Sequence, residues 1–279
     1  MSHKSIICSA LVAFVTLAPA VALANVVDVT NAVRSKGCGK QSVAHRPILA
    51  HRQLNEAARR LSRGDSLQEA TSKSGYRARQ SASIVFQHTD GDAAIARMLA
   101  QRFCRIVADP ALREIGVYQR GDQTWMVLAA PFSPPAADDA PAVAHRVRQL
   151  INEARTRGRR CGSKSFYATR PLQQVLALDH AALAHAREMA AHSYLGHQAR
   201  DGSMPAQRVM RVGYAWSAVA ENVAAGQPSA EEVVTTWLES PGHCANLMNP
   251  RYTETGIAFA VDKASAKGIY WAQLYATPK

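Results

Sequence analysis

The sequence predicts an α+β fold built twice over, each half a set of helices packed on a small sheet. Three observations carry this. In the second half, apolar residues recur at helical spacing and are then followed by two strand-like runs rich in branched and aromatic residues. An ordered series of landmarks repeats across a Pro/Ala/Asp stretch near the middle of the chain. Four cysteines remain once an N-terminal leader is set aside, and they divide evenly between the halves.

The leader comes first. His3 and Lys4 precede an apolar run from Leu11 to Val21, and Ala22-Leu23-Ala24 has the small-residue pattern of a secretory cleavage site. Residues 1–24 therefore read as a signal peptide and Asn25 as the start of the mature chain. The run is too short for a stable membrane anchor, and no later segment holds 18 uninterrupted apolar residues. The expected product is secreted, periplasmic or extracellular, with no transmembrane segment. Cys8 stands before the apolar run, the wrong side for a lipid-attachment cysteine, and leaves with the leader. Losing Lys4 lowers the formal charge from +12 to +11.

Residues 132–142, with Pro134, Pro135 and Pro141 among small and acidic residues, read as a linker between a domain at 25–131 and another at 143–279. Across it, Arg34-Ser35-Lys36-Gly37-Cys38-Gly39 resembles Arg155 to Gly158 with Cys161-Gly162, and Arg46-Pro47 resembles Arg170-Pro171. His51 with Leu54 matches His180 with Leu183, and Gly75-Tyr76 matches Gly213-Tyr214. Cys104 precedes Pro110 as Cys244 precedes Pro250; Gly116 then matches Gly256, and Trp125 matches Trp271. The common order of these pairs implies a tandem duplication. Of the three pairings open to four cysteines, only Cys38–Cys104 with Cys161–Cys244 gives each half an equivalent bond.

In the second half, Asp179 can cap a helix with Leu183, Ala186, Ala190 and Tyr194 on one face, delivering His197 just past its end. Ser203 can cap a shorter helix with Pro205 in its first turn, ending at Gly213. Ser229 and Glu232 have capping-box spacing ahead of a stripe of Val233, Val234, Trp237 and Leu238, which Pro241-Gly242 stops, leaving His243 at a sharp turn. Residues 256–261 and 268–276 then form an antiparallel hairpin.

Several motifs appear here in order: the helix from Leu183 to Met189, His197 with Asp201-Gly202, Ala220-Glu221-Asn222-Val223-Ala224, Ser240-Pro241-Gly242-His243-Cys244 followed by Ala245-Asn246-Leu247-Met248, and Tyr270-Trp271-Ala272-Gln273. Over residues 145–278 the chain resembles the CAP superfamily, the SCP-like cysteine-rich secretory, antigen 5 and pathogenesis-related proteins, in its bacterial secreted form. The resemblance implies an α-β-α sandwich with an open cleft where His197, Glu221 and His243 meet. It also implies two departures. Where animal and plant members carry a second carboxylate, this chain has Ser240 with Glu239 beside it, and where they carry a second histidine it has Tyr270. The first half looks like a degenerate CAP-like copy, with Ser83 in the place of Glu221 and Phe103 in that of His243.

Two neutral imidazoles, His197 and His243, can coordinate Zn2+ or another divalent cation, with Glu221 binding the ion or accepting a proton. Against this, no His-Glu-x-x-His helix is present, and a hydrogen-bonded polar cluster explains the trio equally well. Asn222, Asn246 and Gln273 stand beside the trio as amides that hold turns and strand ends. His185, Glu188 and His192 share a helix face at metal-seating spacing, most simply a polar face. No Gly-x-Ser-x-Gly element supports serine chemistry, and the cysteines are better explained as disulfides, so the reading leans away from catalysis. Three functions remain: a module binding a small apolar or anionic ligand such as a lipid or envelope fragment, a metal-assisted hydrolase with Glu221 as general base, and an interaction protein acting through its basic surface. That surface comprises Arg146, Arg148, Arg155, Arg157, Arg159, Arg160, Lys164 and Arg170. It suits an anionic envelope component, and without stacking aromatics between the arginines no specific nucleic acid is expected.

Overall fold

A computed structural model describes residues 23–38, 46–87 and 91–279. The expected signal peptide, with Cys8, lies outside the described residues except for Leu23 and Ala24, which open the first helix. The chain separates into two compact units, divided between Phe132 and Ser133. Among the described residues no helix is long and apolar enough to cross a membrane.

The first unit runs α1 (Leu23–Lys36), β1 (Leu49–Ala50), α2 (Arg52–Leu61), α3 (Leu67–Lys73), β2 (Ala78–Gln87), α4 (Asp92–Arg102), α5 (Cys104–Val107), β3 (Glu114–Arg120) and β4 (Gln123–Pro131). Its sheet has the order β1-β3-β4-β2, with β1 parallel to β3 and the other pairs antiparallel. Strand alternation splits the core in two. Met126 and Leu128 join Val29, Ile95 and Leu99 on one face, while Val127 and Ala129 join Leu54, Ala57 and Ala58 on the other.

The second unit begins with a 3-10 turn at Ala137–Asp139 and then α6 (Ala140–Arg155). Part of the expected linker is therefore folded, with Pro141 in the first turn of α6, where a missing N–H leaves no intrahelical bond unmade. β5 (Arg159–Cys161), β6 (Lys164–Phe166), β7 (Gln173–Gln174), α7 (Leu176–His192), α8 (Pro205–Arg211), β8 (Trp216–Ala225), α9 (Ala230–Glu239), α10 (Pro241–Met248), β9 (Glu254–Val261) and β10 (Ile269–Pro278) follow. The main sheet has the order β7-β9-β10-β8, with β7 parallel to β9, so β8 is an edge strand. Beneath α7 and α8 lie Ala272, Leu274 and Ala276; Trp271, Gln273 and Tyr275 alternate to the side of α6, α9 and α10.

Several local expectations shift. The cap of α7 is Val175; Asp179 sits in the first turn and accepts the Ile257 amide at 2.8 Å, tying helix to strand. The buried stripe of α7 is Leu178, Ala182, His185, Met189 and their neighbours, so His185 belongs to the core and not to a polar face. α8 is capped from Met204, one residue past Ser203. Ser229 does cap α9 through the Glu232 amide. Pro241 starts a new helix instead of ending one, and His243 stands in the first turn of α10.

Both disulfides, Cys38–Cys104 and Cys161–Cys244, are formed. Gly116 and Gly256 mark the closest approaches of helix to sheet: a Cβ there would lie 1.9 Å from the Leu54 carbonyl carbon and 2.1 Å from that of Leu178, respectively. Counted from these glycines, Leu54 corresponds to Leu178 and not to Leu183. Trp125 corresponds to Ala272 and not to Trp271, a one-residue slip that puts the two indoles on opposite faces.

Candidate functional site

The site is built on β8 and the loop that follows α7. α7 ends on Ser193, whose φ of 53° turns the chain out of the helix and starts the segment that carries His197. Asp201 accepts the Ser203 amide at 2.8 Å and pairs with Arg211, closing that segment as a turn. Its carboxyl is held far below the usual range by the bonds from Ser203 and then Arg211.

At the centre lies Glu221, buried on the α7/α8 side of β8. Its Oε1 meets His197 Nδ1 at 2.9 Å, and its Oε2 accepts from Arg208 Nη2 at 2.7 Å. Arg208 is itself nearly buried, and its Nη1 donates to the carbonyls of His197 and Ser203 at 2.9 and 2.8 Å. One guanidinium therefore both neutralises the carboxylate and fixes the loop bearing the imidazole. His185 Nε2 donates to the Gly196 carbonyl at 2.8 Å and stands 3.9 Å from Glu221 Oε1. Burial pushes the His185 imidazole below its ordinary range, more than Glu221 raises it, so this ring is neutral at pH 7.

Across the edge strand, α10 presents His243, half-buried, with a buried Nδ1 that makes no hydrogen bond among the described residues. Burial, and next the charge of nearby His197, lowers its pKa. A polar chain beneath it anchors α10. Asn222 Nδ2 donates to the His243 carbonyl at 3.1 Å and to the Tyr275 hydroxyl at 3.0 Å. Tyr275 donates to Gln273 Oε1 at 2.7 Å, Gln273 Nε2 to Thr255 at 3.1 Å, and Thr255 to the Leu274 carbonyl at 2.8 Å. Asn246 Nδ2 donates to Asn222 Oδ1 at 3.0 Å. Asn222 and Gln273 are fully buried, so these amides hold structure and do not face solvent.

Two other candidates fall elsewhere. Tyr270 is core, 1 % exposed, packed with Met189 and Val209. Glu239 is exposed at the end of α9 and makes no bond among the described residues. Arg155, read as part of the basic surface, is fully buried: it donates to the carbonyls of Arg170, Leu247, Asn249 and Tyr252, and burial lowers its pKa to about 10.

The donor set does not fit a three-ligand metal centre. Among the described residues no group of three or more His, Cys, Asp or Glu side chains is placed to hold an ion, and both Glu221 oxygens are engaged. The residue missed from sequence is Arg208, and His185, which the sequence reading puts on a polar helix face, is buried. Both carried a signal: Arg208 shares the inner side of a short helix with Val209 and Val212, and His185 falls seven, three and four residues from Leu178, Ala182 and Met189.

The chain is similar to known proteins. Residues 148–275 match the family model of the Cysteine-rich secretory protein family, CAP. Uncharacterized protein YkwD of Bacillus subtilis (strain 168) is 31% identical over 106 residues, 38% of this chain and 39% of that protein, so the match spans about two-fifths of the curated relative. An extracellular protein containing an SCP domain from Bacillus anthracis str. Ames is 14% identical, with 76% of this chain and 71% of that one covered and a TM-score of 0.43. The structure of Na-ASP-1, 8% identical, covers 94% of this chain and 91% of its own with a TM-score of 0.52, a likeness of fold alone. Residues 148–275, which carry the edge-strand site and one disulfide, are thus similar to the Cysteine-rich secretory protein family, CAP.

Proposed function

We propose that the chain is a secreted, non-catalytic binding protein whose C-terminal unit takes a small apolar or anionic ligand at His197 and His243, over the edge strand β8. The observation that carries this is the state of Glu221. A general base needs a free lone pair aimed at the reacting proton, yet both carboxylate oxygens already accept charge-assisted bonds from His197 and Arg208. Glu221 is thereby a support for His197, fixing Nδ1 inward and leaving the other ring nitrogen of a half-exposed imidazole, 46 % accessible, for a ligand. Neutral, that nitrogen accepts a hydrogen bond; protonated, it donates to an anion.

The first unit is, on this reading, a degenerate copy that keeps the frame and drops the chemistry. Paired features support the duplication. Arg34 and Arg155 are both buried against carbonyls, of Val107 and Leu247 respectively. Asn31 and Asn152 each make two bonds to the backbone of one residue, Ile48 and Leu172. Tyr76 donates to Glu114 as Tyr214 does to Glu254. Ser83 lies opposite Val127 as Glu221 lies opposite Leu274.

Calorimetry with zinc and with magnesium, on wild type, His197→Ala and His243→Ala, tests the site. Equal heats for the three proteins are expected; heat of zinc binding lost in both variants would restore the metal centre. An ester- or peptide-turnover assay in which Glu221→Gln fell well below wild type would restore the hydrolase.

A further inference from the structure

The hairpin formed by β5 and β6 belongs to no part of the site above, and its surface is strongly basic. From Ala154 through Leu178 the sequence contains no Asp or Glu. Arg157, Arg159, Arg160, Lys164 and Arg170 are exposed there, and none pairs with a carboxylate among the described residues. Just past β6 stands Tyr167, 92% exposed, the most exposed of the large apolar side chains, with half-buried Phe166 opposite Arg159 in the ladder. Aromatic rings thus do accompany these cations, contrary to the expectation from sequence.

The hairpin is also held firmly. Cys161 ties it to Cys244 of α10, and Gly162, at φ +60°, turns the chain so close to Pro241 that a Cβ would lie 2.9 Å from the proline Cβ. A surface held this way loses little conformational freedom on binding.

We propose that this hairpin docks the chain on an anionic lipid bilayer, the cations meeting headgroup phosphates and Tyr167 inserting at headgroup depth. A tyrosine has an apolar body and a polar tip, the combination that favours a membrane–water boundary over bulk water. Each basic residue near an anionic leaflet adds to the attraction. Single-stranded nucleic acid, the other polyanion of this charge, is bound on series of stacking rings, and here one ring alone stands free among the described residues of the hairpin.

The test is co-sedimentation of the chain starting at Asn25, the exported form expected from the leader, with vesicles of phosphatidylcholine alone and with about a quarter phosphatidylglycerol. Binding is expected only to the anionic vesicles, weakening as salt rises. Arg157→Ala/Arg159→Ala/Arg160→Ala should weaken it about a hundredfold, and Tyr167→Ala several-fold. In Tyr167→Trp, brominated lipid should quench an added component of emission that wild type lacks. Equal vesicle binding by all variants, quenching in Tyr167→Trp no greater than in wild type, or binding of an oligonucleotide with none to anionic vesicles would each overturn the proposal. Every substituted side chain is exposed, so loss of binding with unchanged circular dichroism reports the surface and not the fold.

Discussion

Asn222 and Ile84 hold the same place in their two sheets. Asn222 pairs with Gln273, which pairs with Ile257, the residue after Gly256; Ile84 pairs with Met126, which pairs with Val117, the residue after Gly116. The polar chain of Asn222, Gln273, Tyr275 and Thr255 falls, by the same register, on Ile84, Met126, Leu128 and Ile115. All four of the latter are buried apolar side chains. A sheet of this order therefore packs well with an apolar layer, and the amides of the second unit serve His243 and α10.

Breaking that chain at one point should cost more than removing all of it. Asn222→Ile leaves the His243 carbonyl without its donor and Asn246 Nδ2 without its Asn222 acceptor, a loss of about 2–4 kcal/mol. Asn222→Ile/Asn246→Ile/Gln273→Met/Tyr275→Phe/Thr255→Val removes the side-chain donors and acceptors together, leaving the backbone carbonyls of His243 and Leu274 without these donors, and keeps the aromatic ring. Urea unfolding should find this variant more stable than Asn222→Ile alone; the reverse order would show that the network itself stabilises the fold.

Arg208→Ala strands the Glu221 charge in the core and frees the carbonyls of His197 and Ser203. About 3–5 kcal/mol of stability should be lost, as when one partner of a buried pair is removed. Arg208→Met/Glu221→Leu should lose less than Arg208→Ala in the same denaturation series, because neither charge is then buried alone.

What the sequence made legible follows from the range of the forces involved. The hairpin of β9 and β10, the Ser229 cap and the disulfides rest on local chemistry or on the matched cysteines, and they stand where spacing put them. Arg155 and Arg208 were hidden because their acceptors are carbonyls and a carboxylate far away in the chain, 92 residues on for Leu247 and 13 for Glu221. A charge in a basic run reads as solvated until its distant acceptors are known. Asp179 and Pro241 were misplaced for a related reason: a capping residue and a helix-starting proline each resemble something else when only neighbours are seen.

Gly256→Ala should be severe although alanine is the smallest change. A Cβ at that residue would overlap Leu178 backbone at 2.1 Å, and neither α7 nor β9 can yield without opening the core beneath both. Gly116→Ala meets Leu54 backbone at 1.9 Å and should be as damaging. More than about 3 kcal/mol is expected for each, measured as midpoint shifts in urea. Gly213→Ala, where no atom lies within 4 Å but φ is +79°, should cost only about 1 kcal/mol.

Stability should fall as the solution is acidified below about pH 6.5, through His185 and His243. Burial lowers both imidazoles in the folded chain, whereas in the unfolded chain they titrate near 6.5. Below that value the unfolded state takes up protons that the folded state refuses, so unfolding gains free energy with every proton bound. The loss is absent well above 6.5, grows as pH drops, and levels off once the folded-state values are passed. His185→Gln, which keeps a donor for the Gly196 carbonyl, and His243→Gln should each flatten the dependence of the urea midpoint between about pH 7.5 and 5, by roughly one proton or less apiece. A double variant with the same slope as wild type would show that neither ring is held neutral by the fold.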